Sequence, residues 1–154
     1  MNGGRGKRDA GRGAALGLRL LAAMLGVFFL SMGLNKLAWF ADSGILVRRF
    51  QMFLTDASPA TRWYIETIAM PGAPLFARIV PLAELSAAAA LILGFWTRLA
   101  AALALLMVLN FHLATGEIFT RGFLLDGAGP PVLGALLALA IGGRQLPWTL
   151  SRQQ

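Results

Sequence analysis

The sequence has no cysteine, and its 154 residues include a single histidine, His112. Without a thiol the chain cannot build a disulfide frame, a thiolate nucleophile, an iron–sulfur cluster or a cysteine metal site. One imidazole leaves little for zinc or haem. None of the six methionines pairs with it at ligand spacing, so the sequence sets out no metal site. No nucleotide-binding motif occurs. Charge is scarce too, at 14% of residues, against roughly a quarter in soluble domains.

Apolar residues fill the space that charge leaves. They make up 57% of the chain, and the mean hydropathy is +0.67. That composition belongs to a membrane protein, and the length gives room for about four spans of ~20 residues. The net charge of +7 does not point to nucleic acid, because no basic patch interleaved with aromatics offers a base-stacking surface. Many basic residues instead flank apolar runs, where they act as topology signals and contact phospholipid.

The expected fold is all-α: a polytopic membrane protein built as a four-transmembrane-helix bundle. Residues 1–15 are Gly- and Arg-rich and are expected to be disordered at the cytoplasmic face. The membrane domain takes residues 16–143, with spans near 16–40, 74–96, 99–116 and 132–143, and residues 144–154 form a cytoplasmic tail. The first apolar run is too long for a cleaved signal peptide and lacks a small-x-small cleavage site, so it reads as a retained span. With the N-terminus inside, Arg5, Lys7, Arg8, Arg12, Arg19, Arg98, Arg144 and Arg152 lie on the cytoplasmic side. Arg48, Arg49, Arg62, Arg78 and Arg121 lie outside. This excess favours both termini inside.

The outer connection, residues 41–73, is apolar enough to fold. "SGILVRRFQMFL" is amphipathic, and "SPATRWYIETIAM" opens with Ser58 as an N-cap and a proline at the first helical position. Two short interfacial helices are expected there.

Polar residues inside the apolar runs need an explanation. In the first span, Arg19, Gly26, Phe29, Gly33 and Lys36 follow a heptad-like stripe on one face. Glu84, Ala87, Leu91, Gly94 and Arg98 repeat in the same way from the second. Glycine along such stripes lets helices approach closely in lipid. With Arg19 and Arg98 as markers of the inner interface, Lys36 lies ~26 Å above it and Glu84 ~21 Å. Asn110 and His112 of the third span come out at ~18 and ~21 Å. One outer-half layer therefore holds Lys36, Glu84, Asn110 and His112, and Lys36 and Glu84 can pair. Asn110 and His112 stand about 200° apart on their helix, so only one faces the pair squarely. A tight bundle favours Asn110 inward, with His112 as the alternative. Two readings of the pair stay open. It can fix helix register without chemistry, or it can form a polar pocket for a quinone head group or a proton. Ser86, Ala90 and Gly94, and Gly134, Ala138 and Gly142, form small-residue stripes for helix packing first and homo-oligomer contacts second.

"LRLLAAMLGVFFLSMGLNKL" and "PLAELSAAAALILGFWTRLAAALALLMVLNFHLATG" together resemble the DoxX family. The matching positions are Arg19, Gly26, Phe29, Gly33 and Lys36, then Glu84, Gly94, Thr97 and Arg98, and the resemblance covers residues 16–142. The broader group includes the small membrane subunit of thiosulfate:quinone oxidoreductase. The resemblance implies a bacterial or archaeal four-helix inner-membrane protein, quinone-linked in some relatives and associated with oxidoreductase complexes in others. Three functional readings follow. The leading one is an accessory or quinone-interacting subunit of a membrane oxidoreductase system, with quinone as its cofactor and a partner subunit carrying the electron chemistry. The second is a non-catalytic membrane scaffold, and the third, with no inverted repeat to support it, is a small-solute transporter.

Overall fold

The computed structural model describes residues 3–144 and 146–149, with side chains placed for residues 11–118, 120–144 and 146–149. Of the expected tail, residues 145 and 150–154 lie outside the described residues, as do the side chains of Arg5, Lys7 and Arg8. Every regular element among the described residues is helical.

Helix α1 (Gly3–Leu34) carries the first apolar run. The stretch expected to be disordered is instead helical from Gly3 onward. No proline stops it, and each residue added to an existing helix gains a hydrogen bond at low nucleation cost. A 3₁₀ turn at Leu37–Phe40 leads to α2 (Gly44–Leu54) and α3 (Pro59–Tyr64), which continues as a π turn over Ile65–Ala69. Ser58 caps α3 by accepting a bond from the Thr61 N–H at 3.2 Å. Helix α4 (Ala73–Leu93) and α5 (Thr97–Thr115) follow, then a 3₁₀ turn at Glu117–Phe119, the single turn α6 (Gly122–Leu125) and α7 (Pro130–Gly142).

Among the described residues, three helices are long and apolar enough to cross a membrane: Gly11–Leu34 of α1, α4 and α5. Helix α7 is also apolar but has 13 residues. At ~1.5 Å per residue it reaches ~20 Å, short of a hydrocarbon core of ~30 Å.

The expected stripe from Glu84 through Arg98 does not survive as one helix face. Gly94 ends α4 in the left-handed region at φ +71°, where its N–H bonds back to Ala90. Arg98 therefore belongs to α5, just past the turn.

Among the described residues, two apolar clusters hold the chain together. One lies among α1, α4, α5 and α7, and Phe29, Leu91, Leu136 and Leu139 are its fully buried large side chains. The other joins the connection between α1 and α4 to the start of α4 through Trp39, Leu46, Phe50, Ile65, Ala69, Ala73 and Ala77. This places residues 37–73 as a folded cap over one end of the long helices. The outward faces of those helices carry exposed Leu20, Met24, Val27, Leu82, Leu103 and Leu106, an apolar exterior suited to lipid.

Candidate functional site

Close packing of α1 on α4 sets the site. A Cβ at Gly26 would stand 2.6 Å from Ile92 Cγ1 and 3.0 Å from the Ala88 carbonyl oxygen, and one at Gly33 would stand 2.8 Å from Leu85 Cγ. Only glycine lets the two backbones meet this closely. Their approach brings Lys36, in the turn that ends α1, against Glu84 in the middle of α4.

Lys36 Nζ donates to Glu84 Oε1 at 2.7 Å and to Oε2 at 2.9 Å, and to the Met32 carbonyl oxygen at 3.3 Å. The Lys36 and Glu84 side chains are 7% and 2% exposed. Such burial is tolerable because each charge is met by the other and by further hydrogen bonds. The ammonium also lies 5.8 Å from the Trp39 ring centroid and 5.6 Å from that of Phe111, within cation–π range.

A cavity of about 220 Å³ opens beside the pair. Its apolar walls include Phe28 and Phe29 from α1, Trp39, Phe50 from α2 and Phe111 from α5. His112, Glu117 and Asp126 line it as well. His112 is buried; its Nδ1 lies 2.8 Å from the Val108 carbonyl oxygen and its Nε2 2.9 Å from Asp126 Oδ2. Phe123 packs edge-on against the imidazole, with 5.2 Å between centroids. When the ring is protonated at Nε2, its bond to Asp126, and then the Ala128 N–H, hold the Asp126 carboxyl below its ordinary pKa.

The orientation favoured for the third span is reversed. Thr97, Ala101, Ala104, Val108 and His112 form the buried stripe of α5, so His112 faces the cavity. Asn110 shares the opposite, exposed stripe with Leu103, Leu106 and Leu113, and its Oδ1 accepts a bond from Tyr64 Oη at 2.6 Å. The small side chains at positions 101 and 104 let α5 pack closely with that face inward. Asn110 loses nothing by facing out, because the cap supplies its partner.

Arg19 and Arg98 act elsewhere. Arg19 donates to the carbonyls of Leu91, at 3.1 Å, and Ile92, closing the C-terminal end of α4. Arg98 Nε donates to the Ala140 carbonyl at 2.8 Å near the end of α7. Both place positive charge where the helix dipole is negative. The stripe Gly134, Ala138 and Gly142 is exposed, although Gly142 also packs beside Leu18 of α1.

Sequence reasoning missed Trp39, Phe111, Glu117 and Asp126. The aromatics gave no signal among so many apolar residues. The two carboxylates did give one, since they are the acids nearest His112 in the sequence, at five and fourteen residues.

The family model described as DoxX matches residues 14–116. No curated protein and no solved structure matches the chain.

Proposed function

The chain belongs to the DoxX family, and from that premise we propose that its cavity takes the head group of a quinone, in an accessory subunit of a membrane oxidoreductase system. The observation that carries this reading is the buried Lys36–Glu84 pair opening onto an aromatic cavity that His112 also lines. An apolar cavity of about 150 Å³ holds a benzene ring, so 220 Å³ suits a substituted ring. A carbonyl–hydroxyl ring wants apolar walls and a polar group at each end. Lys36 would stabilise one oxygen, Glu84 would orient Lys36 or exchange its proton, and the wall that His112 lines, with both ring nitrogens already engaged by Val108 and Asp126, would face the other oxygen. With no cysteine in the chain, any thiol or iron–sulfur relay belongs to a partner subunit.

The reading extends to the setting. Helix α7 would complete a fourth crossing with its flanking residues, and α2 and α3 would lie at the outer interface. Both termini would be cytoplasmic, in a bacterial plasma membrane. The excess of basic residues on the inner side supports this orientation. The exposed Gly134–Ala138–Gly142 stripe is the face for a homo-oligomer contact.

The test is quinone retention. Wild type, Lys36→Met and Glu84→Gln are purified in mild detergent, checked for folding, and extracted for bound quinone. The expected result is retention by wild type alone. Equal retention by all three would overturn the assignment.

A second reading has a specific observation behind it. The three donors of Lys36 Nζ already face three protein oxygens, as in a pair that only fixes helix register. In that scaffold reading the cap over residues 37–73 is the working surface, and partners captured by cross-linking depend on the cap and not on Lys36.

A further inference from the structure

The His112 wall of the cavity contains an acceptor conflict. The Val108 carbonyl can only accept, so its 2.8 Å contact assigns the ring N–H to Nδ1. In the neutral ring, Nε2 then presents a lone pair, aimed at an Asp126 carboxylate oxygen 2.9 Å away. A cation must lie between two such acceptors. A proton would satisfy that one contact. However, a carboxylate oxygen of Glu117 joins the group, and the three potential ligand atoms all lie within 4.8 Å of one another.

We propose that His112 Nε2, Glu117 and Asp126 form a binding site for a divalent first-row transition cation of the Zn²⁺ class, in the lining of the cavity. Metal-bound imidazoles characteristically donate their other N–H to a carbonyl or carboxylate, which fixes tautomer and ring angle. The Val108 carbonyl does this here, and Phe123 holds the ring edge-on. The Ala128 N–H orients Asp126 through Oδ1 at 3.2 Å, leaving Oδ2 directed at the site.

Ligand distances of ~2.0–2.2 Å imply separations of roughly 3–3.5 Å between ligand atoms. The His112–Asp126 edge is already close to that range. Glu117 is exposed, on the 3₁₀ turn after Gly116, so its side chain is free to close the remainder. One imidazole with two carboxylates suits Zn²⁺, Mn²⁺ or Fe²⁺ better than Mg²⁺, which prefers oxygen ligands alone. The local charge agrees. Lys36 and Glu84 neutralise each other, and among the described residues Arg49, held over the Trp39 ring at 5.5 Å, is the further basic side chain lining the cavity. Three protein ligands leave a coordination position open towards the cavity.

The site is independent of quinone binding, and its test contains no quinone. Tag-free full-length protein in detergent is stripped with a chelator and titrated with ZnCl₂ and, separately, MgCl₂ by calorimetry. One Zn²⁺ per chain is expected, and Mg²⁺ should bind far more weakly. Glu117→Gln and Asp126→Asn should each weaken Zn²⁺ by roughly tenfold or more, while Asp42→Asn, an acid outside the cluster, should leave it unchanged. Because Glu117 is exposed, its variant tests the site without threatening the fold. Nitrogen NMR of the single histidine gives a second readout: Zn²⁺ should shift Nε2 and leave Nδ1 protonated. Folded wild type that binds no stoichiometric Zn²⁺ would overturn the site. So would affinity unmoved by both carboxylate variants, or an Nε2 proton that persists at saturating Zn²⁺.

Discussion

Lys36 Nζ and Glu84 Oε1 lie 2.7 Å apart across 48 positions of sequence, both almost wholly removed from solvent. Two charges in that setting are jointly tolerated and singly expensive. Removing either partner leaves an uncompensated charge in low dielectric, at a cost of about 3–5 kcal/mol. Lys36→Met and Glu84→Gln should therefore each lower the thermal midpoint in detergent sharply. Lys36→Met combined with Glu84→Met should recover most of the loss. Additive losses in the double variant would show that the pair is not the source of the cost.

Gly26 should tolerate no side chain without movement of α4. The nearest atoms to a Cβ include Ile92 Cγ1 at 2.6 Å and the Ala88 carbonyl oxygen at 3.0 Å, and a backbone oxygen cannot step aside. Gly26→Ala should cost about 1–3 kcal/mol by overpacking. Gly134→Ala, with nothing within 4 Å of the new methyl, should be neutral in the monomer. Comparing their midpoints in one detergent tests the contrast.

Arg19 should stabilise the far end of α4. Its guanidinium meets the Leu91 and Ile92 carbonyls, two of the acceptors a helix C-terminus leaves unpaired. Arg19→Met should cost about 1–3 kcal/mol and speed amide exchange around residues 90–96. Exchange that rises only in α1 would assign Arg19 to a different task.

The start of α2 should respond to acid. Asp42 accepts from Arg48 Nη2 at 3.1 Å and from the Gly44 N–H at 2.8 Å, and these bonds hold its carboxyl below the ordinary 3.8. Since the folded value is lowered, the contribution is complete above the unfolded value and is lost as pH falls through the folded one. The Gly44 amide resonance should titrate with a midpoint under 3.8, and Asp42→Asn should abolish that titration. A midpoint above 3.8 would contradict the capping role.

Some of this molecule follows from residue order alone. The long apolar runs require helices in lipid, because no other open structure satisfies its own backbone there. The fixed rise of those helices puts Lys36 and Glu84 in one layer before any packing is known. Rotation about an axis has no such rule. The sequence favoured Asn110 inward over His112, and only the packing of α5 through Ala101, Ala104 and Val108, with Tyr64 partnering Asn110, turned His112 inward. The break at Gly94 was likewise decided by a backbone angle, since glycine reads the same inside a stripe as at a helix end. Asp126 reached His112 through the turns after α5, where no periodic pattern relates position to direction. Periodicity fixes height and composition fixes the medium, but which faces meet is set by side-chain fit between segments far apart in the chain.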